Sequence, residues 1–366
     1  MVPKPPISLT ILMVAASITV HLIILGVCYS RSSANIEVML KRSDAHSYLQ
    51  VADLFISGRP LSVPFAGRVF PGWPICFAPA YAIIKSPWVP VVVAILISCV
   101  LPLMQLSISG NRTAAIIMIC GTPTLLMHSV LAMSEPLFLL LTLGSCLAFA
   151  RDRSSLAALL TGVAAWVRPT SCFLWLGQAL ELVARGRRVE ALKMSVIAGL
   201  AAGSMFLFNA WLYGSPFYQF GQYGTLPNIS DQARQALGLW ENGGSHFGMP
   251  MVNLIKASLL THPPLWKQAF VWGHVVMLMM FLVFGSSSAS RSEPYWTSNF
   301  VWAAGTGLFI LCTGPYWAFH SFDRYFVWAL PAYLALIQPW LKRTRWFTWA
   351  AVGLSVVSGL GGVLKA

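Results

Sequence analysis

The sequence has few charged residues and very few acidic ones. Charged side chains make up 10% of its 366 residues, and only 11 residues are aspartate or glutamate. A soluble domain is about one quarter charged, so this composition excludes a soluble globular protein. The seven cysteines lie singly in apolar runs without any CxxC pair, which argues against a disulfide framework or a zinc site.

What the chain has instead is apolar sequence along its whole length. Hydrophobic residues make up 57% of it, and the mean hydropathy is +0.69. A transmembrane helix needs roughly 20 apolar residues, and the runs here are evenly apolar, which excludes the alternating pattern of an outer-membrane barrel. We predict an all-α, polytopic membrane bundle of about eleven helices, some of them short or broken, in one domain over residues 1–366.

The net charge of +13 is concentrated in short basic clusters at the ends of apolar runs. Such clusters mark cytoplasmic loops under the positive-inside rule, so we expect no nucleic-acid partner. Two clusters, "RDRSS" (151–155) and "RGRR" (185–188), enclose about 30 residues interrupted by Pro169. This spacing predicts either a hairpin of two helices of about 14 residues, shorter than the roughly 30 Å core, or one tilted helix kinked at the proline.

Two polar loops interrupt the apolar sequence, at 30–68 and 214–263. The first contains Asp44, followed by apolar residues at helical spacing, which predicts an amphipathic helix at the membrane interface. Asp44 is then either the N-cap of that helix or a general base, with His46 as a neighbour that binds an anion. The basic residues of this loop oppose an external location under the positive-inside rule, or attract anionic headgroups or a phosphate donor; they are Arg31, Lys41, Arg42 and Arg59.

Further ionisable residues lie at the starts of apolar segments, where charge is expensive and marks function by default. Glu135 in "MSEPLFLLLTLG" (133–144) either begins a helix or faces a cavity, and Arg168 in "WVRPTS" (166–171) needs an anion from elsewhere. Arg68 is an interfacial anchor or a phosphate ligand. His320 and Arg324 precede a terminal span, where a snorkelling cation is the alternative to a site.

Six motifs occur in a fixed order: "DAHSYLQVA" (44–52), "RVFPGWPIC" (68–76), "MSEPLFLLL" (133–141), "WVRPTS" (166–171), "LYGSPFYQF" (212–220) and "DRYFVWALP" (323–331). This order resembles the GT-C glycosyltransferases, in particular the mannosyltransferase family that includes the GPI second mannosyltransferase and its bacterial relatives. The corresponding family motifs are D-A-x-x-Y-L-x-x-A, a phenylalanine–proline motif, S-E-s-L-F, R-P, Y-G-x-P-x-x-F and R-Y-x-x-x-x-x-P. The similarity spans nearly the whole chain.

The resemblance implies an enzyme of the plasma membrane, or the inner membrane in a bacterium, with its site on the extracytoplasmic face. It would transfer a mannose-like hexose, with inversion, from a polyprenyl-phosphate donor to a lipid, glycan or protein hydroxyl, without an obligatory cofactor. Asp44 would be the general base. The residues that would bind or orient the phosphate are His46, Arg68, Glu135, Arg168, His320 and Arg324.

Three alternatives stay open. A divalent ion shared by Asp44 and Glu135 would assist the reaction, although no metal-ligand cluster supports it. A transporter or flippase of a lipid-linked or anionic substrate would use the same cations without chemistry, but such proteins usually have repeated halves, and none are evident here. A non-catalytic membrane subunit would not need its acids at all.

Overall fold

The computed structural model describes residues 7–41, 43–58, 69–120, 123–218, 265–312, 324 and 326–343. All regular structure in these residues is helical, which confirms the all-α class. The sixteen helices are α1 (Ile7–Arg31), α2 (Ile36–Lys41), α3 (Ala45–Ser57), α4 (Gly72–Ile84), α5 (Trp88–Ser109), α6 (Arg112–Cys120), α7 (Pro123–Val130), α8 (Glu135–Ala150), α9 (Ser154–Ala165), α10 (Ser171–Ala184), α11 (Arg188–Tyr213), α12 (Leu265–Gly285), α13 (Ser288–Arg291), α14 (Trp296–Cys312), α15 (Leu330–Leu336) and α16 (Gln338–Arg343).

Helices α1, α5 and α11 are each long and apolar enough to cross a membrane. Helices α7 and α8, which are bent by 116° at the break between them, form a fourth candidate, either a broken span or a re-entrant loop. These helices indicate a multi-pass membrane protein. The described residues contain three or four candidate spans rather than about eleven, in part because α4, α9 and α10 have only 13, 12 and 14 residues.

Helices α9 and α10 form the hairpin that the two basic clusters predicted. At 1.5 Å per residue they are about 18 Å and 21 Å long, less than the thickness of the hydrocarbon core. Asp152 precedes α9 and Arg187 follows α10, and their side chains form an ion pair at 2.7 Å, so the chain returns to the side it left. The hairpin is therefore confirmed and the single kinked helix is wrong. Its turn, residues 166–170, lies at the end of the hairpin away from the basic clusters.

A buried polar network joins α8, α9 and α10. The hydroxyls of Ser145 and Thr161 are 2.7 Å apart, and Gln178 Nε2 donates to Ser145 Oγ at 3.0 Å. Hydrogen bonds between membrane helices form without competition from water. The network therefore fixes the relative positions of the three helices, and with them the helix ends that carry Glu135 and Arg168.

Helix α9 packs against α11 at closest approach through Gly162. A Cβ on Gly162 would lie 2.6 Å from both Ala198 O and Ala201 Cβ, whereas a Cβ on Gly199, also within a helix, would meet nothing within 4 Å. We expect Gly162→Ala to lower the free energy of unfolding by about 1–3 kcal/mol, because the backbones must move apart. Gly199→Ala should leave it unchanged or raise it, since alanine is the better helix former. Denaturant unfolding followed by circular dichroism would compare them, and equal effects would contradict the close contact.

Candidate functional site

The chain reverses sharply between α7 and α8. Met133 N–H donates to His128 C=O at 2.8 Å, and Ala132 N–H donates to Ser129 C=O at 3.2 Å. Ala132 has a φ of 54°, the left-handed conformation that glycine usually supplies after the last turn of a helix. Helix α8 then begins at Glu135 with a proline in its first turn, as predicted. The reversal directs Glu135 into the protein interior.

Glu135 is fully buried and pairs with two arginines from distant segments. Arg168 Nη2 donates to Glu135 Oε1 at 3.0 Å, and Arg324 Nε donates to the same oxygen. Arg168 belongs to the turn between α9 and α10, and Arg324 lies six residues before α15. The prediction that Arg168 requires an anion from elsewhere in the chain is therefore confirmed. Removing one member of such a group would leave an uncompensated buried charge.

Asp44 joins this group through Arg324. Arg324 Nη1 donates to Asp44 Oδ2 at 2.8 Å, and the Asp44 side chain makes no capping hydrogen bond to α3. The N-cap interpretation is therefore wrong for its carboxylate, although α3 does begin directly after it with the predicted apolar face buried. The Asp44 side chain is 47% exposed and that of Glu135 is 0% exposed. Asp44 is thus the carboxylate that an incoming ligand can reach.

Four of the sequence-predicted residues thus form one cluster: Asp44, Glu135, Arg168 and Arg324. We call these four residues the ion-pair cluster. Its two carboxylates and two guanidinium groups have formal charges that cancel. The Arg324 side chain is only 16% exposed, so the interpretation of Arg324 as a snorkelling cation is wrong.

The two arginines of the ion-pair cluster keep donors that Glu135 and Asp44 do not use. Arg168 Nε and Arg324 Nη2 are buried and have no hydrogen-bond partner among the described residues. A guanidinium group offers five N–H donors in a planar fork, which suits phosphate and carboxylate groups. The unused donors therefore make this cluster a candidate site for an anionic group.

Four surrounding side chains complete the site, and the sequence did not assign them a role there. His128 Nδ1 lies 3.7 Å from Glu135 Oε2, and Arg168 lies over the Trp328 ring, 5.0 Å from its centroid. Tyr48 Oη donates to Ser134 Oγ at 3.0 Å. Burial raises the pKa of the Tyr48 phenol to about 12, so Tyr48 is a hydrogen-bond donor and not a base near neutral pH. The seven-residue spacing of His128 and Glu135 across a helix break was the one signal that could have suggested that pair.

Aromatic rings lie next to this site, between α3 and α11. Phe208 is 5.3 Å from Trp166 and 6.1 Å from Phe55, measured between ring centroids. Trp166 is two residues from Arg168, and Phe55 is on the helix that follows Asp44. The three rings therefore form an aromatic surface, built from three separate elements, that begins at the turn carrying Arg168.

Of the three remaining predicted residues, the structure describes only His46, which makes no contact with the cluster among the described residues. His46 is exposed, and its Nε2 lies 3.1 Å from Gln50 Nε2 on the same helix. The prediction that His46 binds an anion beside Asp44 has no supporting contact in the described part of the chain. Arg68 and His320 lie outside the described residues, as does the loop 214–263 after residue 218.

A shared metal ion between Asp44 and Glu135 does not fit the described geometry. The Arg324 guanidinium donates to both carboxylates and so lies between them. Within the described ranges, no group of three or more His, Cys, Asp or Glu residues could hold a metal ion. The pair of acids is therefore bridged by a cation of the protein itself.

Comparison with known proteins gives no relative: no protein-family model, no curated protein and no solved structure matches this chain.

Proposed function

We propose that this protein is a membrane glycosyltransferase of the GT-C type. It transfers a mannose-like hexose, with inversion, from a polyprenyl-phosphate donor to a hydroxyl of a lipid, glycan or protein acceptor. The single observation that carries the proposal is the ion-pair cluster, because segments up to 280 residues apart meet there. It places an accessible carboxylate beside two arginines that have unused donors.

The proposed chemistry uses each member of the cluster differently. Asp44 accepts the proton of the acceptor hydroxyl as that oxygen attacks C1 of the sugar. The bond between C1 and the phosphate oxygen breaks, and the bonding electrons leave with the lipid phosphate. Arg168 and Arg324 donate hydrogen bonds to the departing phosphate, in a buried site where such bonds are strong. Glu135 holds the two arginines in place and does not react.

Two further features support the proposed side of the membrane for the cluster and the proposed polyprenyl-linked donor. Helices α8, α9 and α10 each have one end at the cluster and the other at a basic turn, at 151–153 or 185–188. The positive-inside rule favours a cytoplasmic location for the basic turns, and this supports an extracytoplasmic location for the cluster. The aromatic surface of Phe55, Trp166 and Phe208 offers apolar contact for a polyprenyl chain. A complete bundle of about eleven spans in a plasma or inner membrane is part of the same proposal.

A transporter or flippase of an anionic lipid is the second candidate. The observation that favours it is the broken segment α7–α8, whose break lies beside the turn of the α9–α10 hairpin at the cluster. Discontinuous helices whose ends meet within the membrane are typical of transporter substrate sites.

The decisive experiment measures sugar transfer by the full chain reconstituted in phospholipid vesicles. Labelled polyprenyl-phosphate mannose and an acceptor lipid extract are supplied, and the glycolipid product is quantified. We expect labelled product from this donor and none from a nucleotide-linked mannose, which lacks the lipid. Movement of the labelled donor between leaflets without any product would instead support the transporter.

A further inference from the structure

The first two residues of α4 contact two turns of the candidate site, the α9–α10 turn and the α7–α8 reversal. Gly72 N–H donates to Trp166 C=O at 2.9 Å, in the turn that carries Arg168. Trp73 Nε1 donates to Ala132 C=O at 2.8 Å, in the reversal that leads to Glu135. Two adjacent residues thus connect the segments on which the buried ion pair of Glu135 and Arg168 depends.

The contact at Gly72 leaves no room for a side chain. A Cβ there would lie 2.8 Å from both the carbonyl carbon of Trp166 and Cγ2 of Val167. Trp73 is fully buried, and its ring packs against that of Phe77 with centroids 5.3 Å apart. The start of α4 is therefore tightly packed, and it can hold the two turns that it contacts in place.

The hydrogen bond from Trp73 is accepted by Ala132, a residue with a strained backbone. Ala132 has a left-handed backbone conformation, which is strained for an alanine because its Cβ lies too close to the following carbonyl oxygen. Its carbonyl receives the Trp73 N–H, and the preceding carbonyl, of Leu131, receives the Ser43 hydroxyl at 3.2 Å. These side chains hold the strained reversal in the one conformation that directs Glu135 at the arginines.

We propose that Trp73 is a positioning residue of this site, acting through Ala132 on Glu135. Together with the N–H of Gly72, it sets the distance between the α7–α8 reversal and the α9–α10 turn. Glu135 and Arg168 therefore meet without rearrangement. Residues that hold a functional side chain in position without touching the ligand have large effects on rate. A misplacement of about 1 Å can slow a reaction about 100-fold. The effect on rate rests on the proposed function, whereas the effect on the ion pair does not.

The test compares Trp73→Phe with Trp302→Phe. Both tryptophans are fully buried, and both substitutions remove the indole N–H, but Trp302 Nε1 has no hydrogen-bond partner among the described residues. We expect Trp73→Phe to lower the rate of sugar transfer about 10- to 100-fold and Trp302→Phe to change it less than 3-fold, by the positioning argument. Equal losses of rate in the two variants would overturn the proposal.

A rescue separates positioning from general stabilisation. Glycine adopts the left-handed conformation without strain, so Ala132→Gly added to Trp73→Phe should restore most of the lost rate. If Trp73 merely filled space, the glycine would restore nothing, and that result would overturn the proposal.

A second measurement does not need activity. The shift in unfolding midpoint is measured for Trp73→Phe, for Glu135→Gln and for the double variant, and the same cycle is run with Trp302→Phe. The Trp73 cycle should be non-additive and the Trp302 cycle additive, since only coupled residues share an interaction energy. Arg168→Gln replaces Glu135→Gln if the latter does not fold.

The two measurements also separate the two proposals. Non-additive shifts in a protein that transfers no sugar would support the positioning role and count against the glycosyltransferase. Sugar transfer with additive shifts in the Trp73 cycle would overturn the positioning role and leave the glycosyltransferase standing.

Discussion

Asp44→Asn is expected to bind the polyprenyl-phosphate donor as tightly as the unaltered protein and to transfer sugar about 10²- to 10⁴-fold more slowly. The amide has the shape of the carboxylate but cannot accept the acceptor's proton. Donor binding should survive because the two arginines and their buried partner Glu135 are unchanged. Radiolabelled donor binding and product formation, measured on the same vesicles, would test both halves of this expectation.

Asp53→Asn is the matched control for this variant. Asp53 is also exposed and lies on α3, the helix that Asp44 precedes, but the described residues show no ion pair between it and the arginines. It should transfer sugar at the normal rate. Equal transfer by the Asp44 and Asp53 variants would remove Asp44 as the base, and Glu135 would then be the next acid to test.

Glu135→Gln is expected to lower the free energy of unfolding by about 3–5 kcal/mol. The substitution keeps the size of the side chain but removes the negative charge that compensates Arg168 and Arg324. A buried cation without a counter-ion is costly, and more so where lipid rather than water surrounds the protein. Chemical unfolding in detergent, followed by circular dichroism, would measure the change.

Glu190→Gln provides the comparison for Glu135→Gln. Glu190 is also ion-paired to an arginine, Arg187, at 2.6 Å, but this pair lies at the surface of the molecule. Solvent screens exposed pairs, so its loss should have a much smaller effect. Similar losses of stability in the two variants would show that the burial of Glu135 does not determine its contribution.

The sequence identified the residues of the ion-pair cluster but did not show which of them pair with one another. Scarcity of charge identified Asp44, Glu135 and Arg168, because few ionisable groups occur beside apolar runs without a purpose. The pairing of Arg324 with Asp44 could not be read from local patterns, since 280 residues separate them. Local patterns left a helix cap open as an alternative role for the Asp44 carboxylate, because they carry no information about a distant guanidinium.

The fold was predictable where length alone decides. Two apolar segments too short to cross the membrane, bounded by basic clusters, had to form a hairpin or one kinked helix, and the ion pair of Asp152 with Arg187 distinguishes them. The role of Trp73 was not predictable, because an aromatic residue among prolines is also typical of a membrane interface. Its contact with Ala132 depends on how α4 packs against the α7–α8 reversal, which only the tertiary structure shows.

The cancelling charges of the four-residue cluster also have an electrical consequence. A membrane potential does work on charge that moves through it, about 2.3 kcal/mol per elementary charge per 100 mV. The potential therefore does no net work on a group without net charge that shifts as a unit within the membrane. Under the proposed function, the phosphodiester of the donor would bring one uncompensated negative charge to the site. Its arrival and departure would then be the voltage-sensitive events, whereas the assembly of the empty site would not.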